Sequence, residues 1–433
     1  MDPIKVLIIT YYWPPCGGAG VQRWVKLTKY FKNQNIIPYV ITVDENSASY
    51  MQIDNSLLND VPDEVKVYKT KSFEPINYYA KIVGKDKVPT AGFSNVNNET
   101  IFQKVMNTIR SNFFIPDPRR GWNRFAYKKA VELIKKENIK VVLTTSPPHS
   151  SQLIGLRLQK NMNVKWIADL RDPWVDIYYY KLLRHSYFSN LLNEFYEKKV
   201  LLHADRVLTV SDELKKLFDK KTAQINSTKI RVLPNGYDNT DYDNMVKSKN
   251  SVFTITYTGT MSDEYDPGVF FSSMKELMAA FSSEQVKLKV IGSISDSIRK
   301  QILEAGIDFE FVPYVTHKEI IQHQVDADML FLVIPNVKNA EGILTGKLFE
   351  YLATDNRIIC IGPESGDAAK IITKCEAGKT FSRESKAEIV QFLKDQMNNF
   401  LNDTLPQGNQ QEINMFSRKS QTKIVREALE GLV

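Results

Sequence analysis

The feature that most narrows the fold of this chain is an alternation that runs through it twice. Short β-branched apolar runs alternate with amphipathic helical stretches. The first series is KVLIIT (5–10), PYVITV (38–43), KVYKT (66–70), KVVLTT (140–145), KWIADL (165–170) and RVLTV (206–210). The second is KIRVLP (229–234), FTITYTG (253–259), KLKVIG (287–292), FEFVPY (309–314), DMLFLVIP (328–335) and RIICIG (357–362). Most of these runs are apolar throughout, the pattern of parallel strands covered on both faces. Helical stretches such as GVQRWVKLTKYFKNQ (20–34), FAYKKAVELIKKEN (125–138) and GKLFEYLAT (346–354) lie between them. The repetition predicts an α/β chain with two doubly wound, Rossmann-like domains and a ligand cleft between them.

The domain limits follow from composition. At roughly 150 residues per domain, 433 residues suggest two domains. Pro234-Asn235-Gly236-Tyr237-Asp238 is a turn cluster, and a polar stretch follows it, so 236–251 is predicted to be a linker. The domains are then 1–235 and 252–415. The tail 416–433 reads as a terminal helix that packs back on the N-terminal domain. Residues 44–115, rich in Asn, Ser, Pro and Tyr, interrupt the rhythm as an irregular insertion.

Composition removes several classes. A hydrophobic fraction of 43% with 25% charged residues is that of a globular protein, not a disordered or fibrous one. Three cysteines (Cys16, Cys360, Cys375) are too few and scattered for a disulfide framework or a zinc site. The five histidines show no metal-ligand spacing, and His317 and His323 are expected at the surface. The longest apolar runs fall short of the ~20 residues of a membrane span, and the start of the chain carries no secretory signature. The expected compartment is the cytoplasm. Charge is uneven: residues 1–235 hold 36 Lys and Arg against 22 Asp and Glu, a net +14, and the remainder is −7. A basic half suits an anionic substrate or a membrane surface. Nucleic acid is not expected, because no nucleic-acid-binding motif stands beside the charge.

Four clusters sit where strands end. The first is Tyr11-Tyr12-Trp13-Pro14-Pro15-Cys16-Gly17-Gly18-Ala19-Gly20. Glycines between a strand and a helix allow positive φ and close backbone approach, and the helix N-terminus offers N–H groups to a diphosphate. The run also fits a tight packing turn, and it is not the dinucleotide fingerprint. The second is Glu341-Gly342-Ile343-Leu344-Thr345-Gly346-Lys347-Leu348-Phe349-Glu350. Thr345 and Gly346 stand at the cap position, where their amides could meet phosphate oxygens, with Lys347 in the first turn. Glu350 at i+3 can accept hydrogen bonds from two ribose hydroxyls, although a surface Lys–Glu pair has the same spacing. The third is Thr145-Ser146-Pro147-Pro148-His149, where His149 either contacts a sugar, shuttles a proton or caps a helix. The fourth is Asp169-Leu170-Arg171-Asp172-Pro173-Trp174, where two carboxylates flank a guanidinium that keeps both ionised, either as chemistry or as a structural ion pair.

In order along the chain, Gly17–Gly20, Pro116-Asp117, Gly121-Trp122, Ser146-Pro147-Pro148-His149, Asp169–Trp174, Ala204–Ser211, Leu233–Asp238, Tyr257-Thr258-Gly259-Thr260 and Gly346–Ala353 resemble the retaining glycosyltransferases of GT-B fold. The likeness is to the large family called family 4 or group 1, in its bacterial surface-polysaccharide subgroup. That resemblance implies transfer of a hexose-type sugar from a UDP- or GDP-type donor to a glycan or polyprenyl-diphosphate-linked acceptor. It implies capsule, O-antigen or exopolysaccharide synthesis, retention of configuration, no metal, no cofactor and peripheral contact with the inner membrane face. The C-terminal domain would hold the nucleotide, with Glu350 on the ribose and Gly259, Thr260, Thr345, Gly346 and Lys347 near the diphosphate. Gly17 and Gly18 would close on it, and His149, Arg171 and Asp172 would line the sugar cleft as the catalytic set. Two departures stand out. The family's first acidic residue falls on Gly342, leaving Glu341 displaced by one. The basic pair expected after Gly259 is replaced by Asp263-Glu264, so that Lys347 with Arg23 is expected to carry the charge. The alternatives are a sugar-nucleotide epimerase of the same fold and a catalytically degenerate nucleotide-sugar-binding protein.

Overall fold

The computed structural model describes residues 3–50, 52–74, 108–222, 227–307, 309–313 and 315–432. The chain divides into two compact units, Met1–Pro234 with Gln421–Val433, and Asn235–Ser420.

The first unit is built on a parallel sheet of β1 (Ile4–Ile9), β2 (Ile36–Val43), β3 (Lys66–Thr70), β4 (Val141–Ser146), β5 (Lys165–Leu170), β6 (Arg206–Thr209) and β7 (Ile230–Val232), in the order β3-β2-β1-β4-β5-β6-β7. The helices are α1 (Ala19–Thr28), α2 (Asn123–Glu137), α3 (Ser150–Met162), α4 (Tyr187–His203) and α5 (Asp212–Lys221). Strand β1 shows why the runs are apolar on every residue. Val6 and Ile8 pack against Trp24, Val25 and Leu27 of α1, while Leu7 and Ile9 pack against Ala126, Ala130 and Leu133 of α2. Val425, Ala428 and Leu429 of the last helix join the α1 side. The 229–234 run, which the sequence pattern set at the head of the second series, pairs with β6 and closes this first sheet. Of the irregular stretch 44–115, β3 and a short 3-10 helix at Asn55–Asp60 are described, and 75–107 lies outside the described residues.

The second unit repeats the plan with β8 (Phe253–Met261), β9 (Val286–Ile294), β10 (Phe309–Val312), β11 (Met329–Val333), β12 (Arg357–Ile361) and β13 (Gly378–Phe381), all parallel, in the order β10-β9-β8-β11-β12-β13. Its helices are α6 (Gly268–Phe281), α7 (Asp296–Glu304), α8 (His317–Val325), α9 (Gly346–Ala353), α10 (Asp367–Lys374), α11 (Lys386–Leu401) and α12 (Gln410–Asn414), and α13 (Arg418–Glu430) follows. Again the two faces of one strand serve two cores: Phe331 and Val333 of β11 face the α6 and α11 side, and Leu330 and Leu332 face Leu348 and Leu352 of α9. Strand β13 is absent from the sequence-based list because GKTF is short and half polar. Tyr237, in the stretch expected to be a linker, is buried in the α9-side core of this unit with Tyr242 packed beside it.

Each sheet reverses its strand order once, between β1 and β4 and between β8 and β11. Loops leaving the carboxyl ends of two such strands diverge to opposite faces and open a crevice, the usual ligand position in a doubly wound sheet. The Gly-rich run follows β1, His149 follows β4, Gly259-Thr260 ends β8, and the segment leading to α9 follows β11.

Candidate functional site

In the second unit the crevice is formed by the end of β8 and the start of α9. Thr345 precedes α9 with extended backbone, no side chain caps the helix, and the Thr345 hydroxyl is buried without a partner. A Cβ on Gly346 would meet nothing within 4 Å, so the space before the helix is open. Free N–H groups and a positive dipole end there suit an anion. The Lys347 ammonium crosses the end of β8 to donate to the Tyr257 hydroxyl at 2.6 Å and sits 4.3 Å above the Tyr257 ring. Burial pushes its pKa down to about 7, against the pull of Glu350. Its path requires Gly259, whose φ is +103° and whose Cβ, were it present, would lie 2.7 Å from Lys347 Cε. The neighbouring strand supplies Gly292 (φ +121°), where a Cβ would lie 2.4 Å from Gly259 O. Gly259→Ala is therefore expected to cost about 1–3 kcal/mol in strain and to displace the ammonium. Urea denaturation combined with donor affinity checks this: both should fall, and a variant unchanged in both would show that Lys347 does not need this passage.

Glu350 does not pair with Lys347 in a surface ion pair. Its carboxylate accepts from Gln324 Nε2 at 2.9 Å and lies 3.5 Å from His317 Nε2. Burial raises its pKa, but His317, Gln324 and Lys347 outweigh that and hold it below the ordinary carboxylate range. The ammonium and the carboxylate thus stand one turn apart with separate anchors, which suits two different ends of one ligand. His317 is mostly covered beside Glu350, not on the surface as its sequence context suggested. The Thr316–Glu319 capping box that starts α8 is legible in the sequence; the approach of α8 to α9 is not. Glu341 is exposed on a 3-10 turn (Ala340–Gly342), with its backbone oxygen packed near Gly366. Thr260 is exposed, and its carbonyl accepts from the Tyr257 hydroxyl. In the acidic loop after β8, Asp263 accepts from Ser295. Arg383, which the sequence did not single out, is committed to Tyr265 O, Asp266 and Ile334 O.

In the first unit the charges are paired differently from the sequence expectation. Asp169 is fully buried and meets Arg23 of α1, not Arg171, at 3.0 and 3.2 Å. It also accepts from Trp24 Nε1 and the Thr145 hydroxyl, each at 2.8 Å. Arg23 completes its bonds on Leu233 O and Pro234 O. Its guanidinium is spent on the fold, so it is not the cation expected to assist Lys347. Arg171 donates to Ser146 O and Gly20 O, both at 2.9 Å, tying the end of β4 to the first turn of α1. Burial raises the Asp172 pKa, moderated by Arg171.

The Gly-rich loop is only partly available. Gly17 N–H donates to Gln52 O at 2.9 Å, so it is not a free cradle amide. Gly18, at φ +97°, precedes α1; no side chain caps that helix, and a Cβ there would meet open space. His149 stacks on Trp174, 4.7 Å between ring centres. Burial, with Arg171 and Lys221, pushes its pKa down to about 3. A ring that stays neutral at pH 7 stores no proton there, which argues against the shuttle. Nor does it cap α3: Asp117 accepts from Ser150 N at 2.7 Å and the Ser150 hydroxyl at 2.8 Å.

The Glycosyltransferase Family 4 model matches residues 92–241, about a third of the chain. No match was found among curated proteins. Solved structures match along nearly the whole length. The Anabaena HepE protein, in complex with UDP and glucose, is 12% identical over 99% of this chain and 100% of its own, with a TM-score of 0.59. An Escherichia coli structure titled as trehalose-6-phosphate bound with UDP-2-fluoro glucose is 10% identical over 99% of each, also at 0.59. A putative UDP-N-acetylglucosamine 2-epimerase from Listeria monocytogenes is 10% identical over 98% and 95%, at 0.55. At these identities the likeness defines the fold: two Rossmann-like parallel-sheet domains of the GT-B type.

Proposed function

We propose that this chain is a GT-B glycosyltransferase that moves a hexose-type sugar from a UDP- or GDP-type donor to a glycan or polyprenyl-diphosphate-linked acceptor, with retention and without a metal, in surface-polysaccharide synthesis. The observation that carries the donor half is the arrangement at α9: an open helix N-terminus, the buried Lys347 ammonium beside it and Glu350 one turn further on. In this proposal the diphosphate lies on the Thr345–Gly346–Lys347 turn and Glu350 accepts from the ribose hydroxyls. The anomeric C–O bond to phosphate breaks as the acceptor oxygen bonds to the same carbon. The acceptor proton leaves with the departing diphosphate, whose growing charge Lys347 and the helix end stabilise. The first unit, with its basic excess, takes the acceptor, and neutral His149 contacts a sugar hydroxyl. Glu341, displaced and exposed, is assigned no contact in this scheme.

Thermal-shift titration against a panel of nucleotide sugars tests this. A UDP- or GDP-sugar should raise the melting temperature, and the bare sugar should not. Incubation with donor alone then separates the rivals. Slow hydrolysis, with transfer once a glycan acceptor is added and undiminished in EDTA, supports the proposal. An epimerised sugar would assign the epimerase, and binding without turnover against any acceptor would assign a degenerate binding protein.

A further inference from the structure

Helix α4 (Tyr187–His203) is turned inside out over its first half. It buries Ser189, Asn193 and Glu197, and only then Val200 and Leu201. Each of those polar groups has a partner. The Ser189 hydroxyl donates to Ser111 O at 2.9 Å, Trp174 Nε1 donates to Asn193 Oδ1 at 3.0 Å, and Trp174 N donates to Glu197 Oε1 at 3.1 Å. The apolar residues face the other way. Tyr187 and Phe188 are 79% and 73% exposed, and Leu191 and Phe195 are exposed with them. At helical spacing these four lie within an arc of roughly 100°, the width of a stripe that a globular helix normally turns to its core.

A further exposed ring stands on the segment bonded to the start of this helix. Phe113 is 77% exposed at the end of the helical segment 108–113. That segment is fixed to the start of α4: Asn112 Oδ1 accepts from Ser186 N at 2.6 Å, and Asn112 Nδ2 donates to Arg184 O at 3.1 Å. The flanking charges are mainly cationic. Lys199 holds its ammonium 4.4 Å over the Phe195 ring, exposed Lys198 stands beside it, and exposed Arg184 precedes the helix, against Glu194 on the same side. A second protein surface matched to this stripe would meet a rim of nearly one sign. An anionic bilayer matches both parts, because rings and Leu enter the headgroup boundary while lysines extend along it to phosphate. Among the described residues no helix is long and apolar enough to cross a membrane, so the contact is interfacial.

We propose that the outward face of α4, with Phe113, is the surface by which this chain seats on an anionic lipid bilayer. The inference stands apart from the donor site. The test is co-sedimentation of the full chain with vesicles of phosphatidylcholine alone or mixed with phosphatidylglycerol at about two to one. Wild type is expected to pellet with the mixed vesicles, less so as salt rises, and to stay in solution with phosphatidylcholine alone. Phe188→Ser with Phe195→Ser should lose about tenfold or more in partition, since each removes a ring from the membrane boundary. Lys198→Glu with Lys199→Glu should abolish the preference for phosphatidylglycerol. All four positions lie on the outer side of α4, so the melting temperature and its shift with a nucleotide sugar should not change. Wild type left in the supernatant with mixed vesicles, or a double-serine variant that pellets as wild type does, would overturn the proposal. A wild-type dimer that the double-serine variant breaks, without vesicle binding, would assign the surface to a second copy.

Discussion

Replacing Asp169 with alanine is expected to destabilise the first unit by about 3–5 kcal/mol, because it strands a buried guanidinium. Arg23 is 1% exposed and Asp169 is fully buried, so bulk water does not reach the guanidinium to replace the lost carboxylate. Trp24 Nε1 and the Thr145 hydroxyl lose their acceptor in the same step. Asp169→Asn keeps the shape and removes the charge, and should fall between wild type and alanine. Replacing both partners with apolar residues of similar size, Arg23→Met with Asp169→Leu, should recover much of the loss, because breaking such a pair costs more than omitting it. Urea denaturation of the three variants reads this directly. An alanine variant with an unchanged midpoint would remove Asp169 from the structural centre of the unit.

The second large effect is on the donor. Lys347→Met and Glu350→Ala should each weaken binding of a nucleotide-diphosphate sugar by about 10- to 150-fold, the scale of one lost charge-assisted contact of about 1.5–3 kcal/mol. Lys347→Met should lower turnover further, by about 10²–10³, because negative charge grows on the leaving diphosphate. Lys347 also sets a pH signature. Burial brings its pKa down to about 7, and an anionic diphosphate favours the ammonium and raises it again. Affinity should therefore be level well below pH 7 and fall as pH rises above it, by up to about tenfold per unit, until the bound-state pKa is passed. Calorimetry across that range should show proton uptake on binding in wild type and none in Lys347→Met. A wild-type affinity flat from pH 6 to pH 9, roughly one unit below and two above that pKa, would remove Lys347 from the proposed diphosphate site.

The GT-B layout was legible early because a strand buried on both faces must be apolar at every position, and Val6, Leu7, Ile8 and Ile9 obey that rule on two different helices. Gly259 was singled out in the sequence by resemblance alone; its φ of +103° and its closeness to the Lys347 stem are reasons that composition does not contain. Strand β13 escaped because four residues, half of them polar, carry too little pattern. Residue 342, where the resemblance would place a first acidic residue, is a glycine, and the structure leaves Glu341 exposed beside it.

What the sequence by itself determined is whatever depends on neighbours along the chain: strand and helix periods, the turn that starts α9, the spacing of Lys347 and Glu350, and the uneven charge of the two halves. What only the tertiary structure decided is which charge meets which. Asp169 lies two residues from Arg171 but is held by Arg23, and Glu350 lies three residues from Lys347 but is held by His317 and Gln324. Likewise α4 could turn its rings outward only because Ser111 and Trp174 were in place to satisfy its polar face. Electrostatic and hydrogen-bond energies depend on distance and burial in space, and a one-dimensional spacing supplies neither.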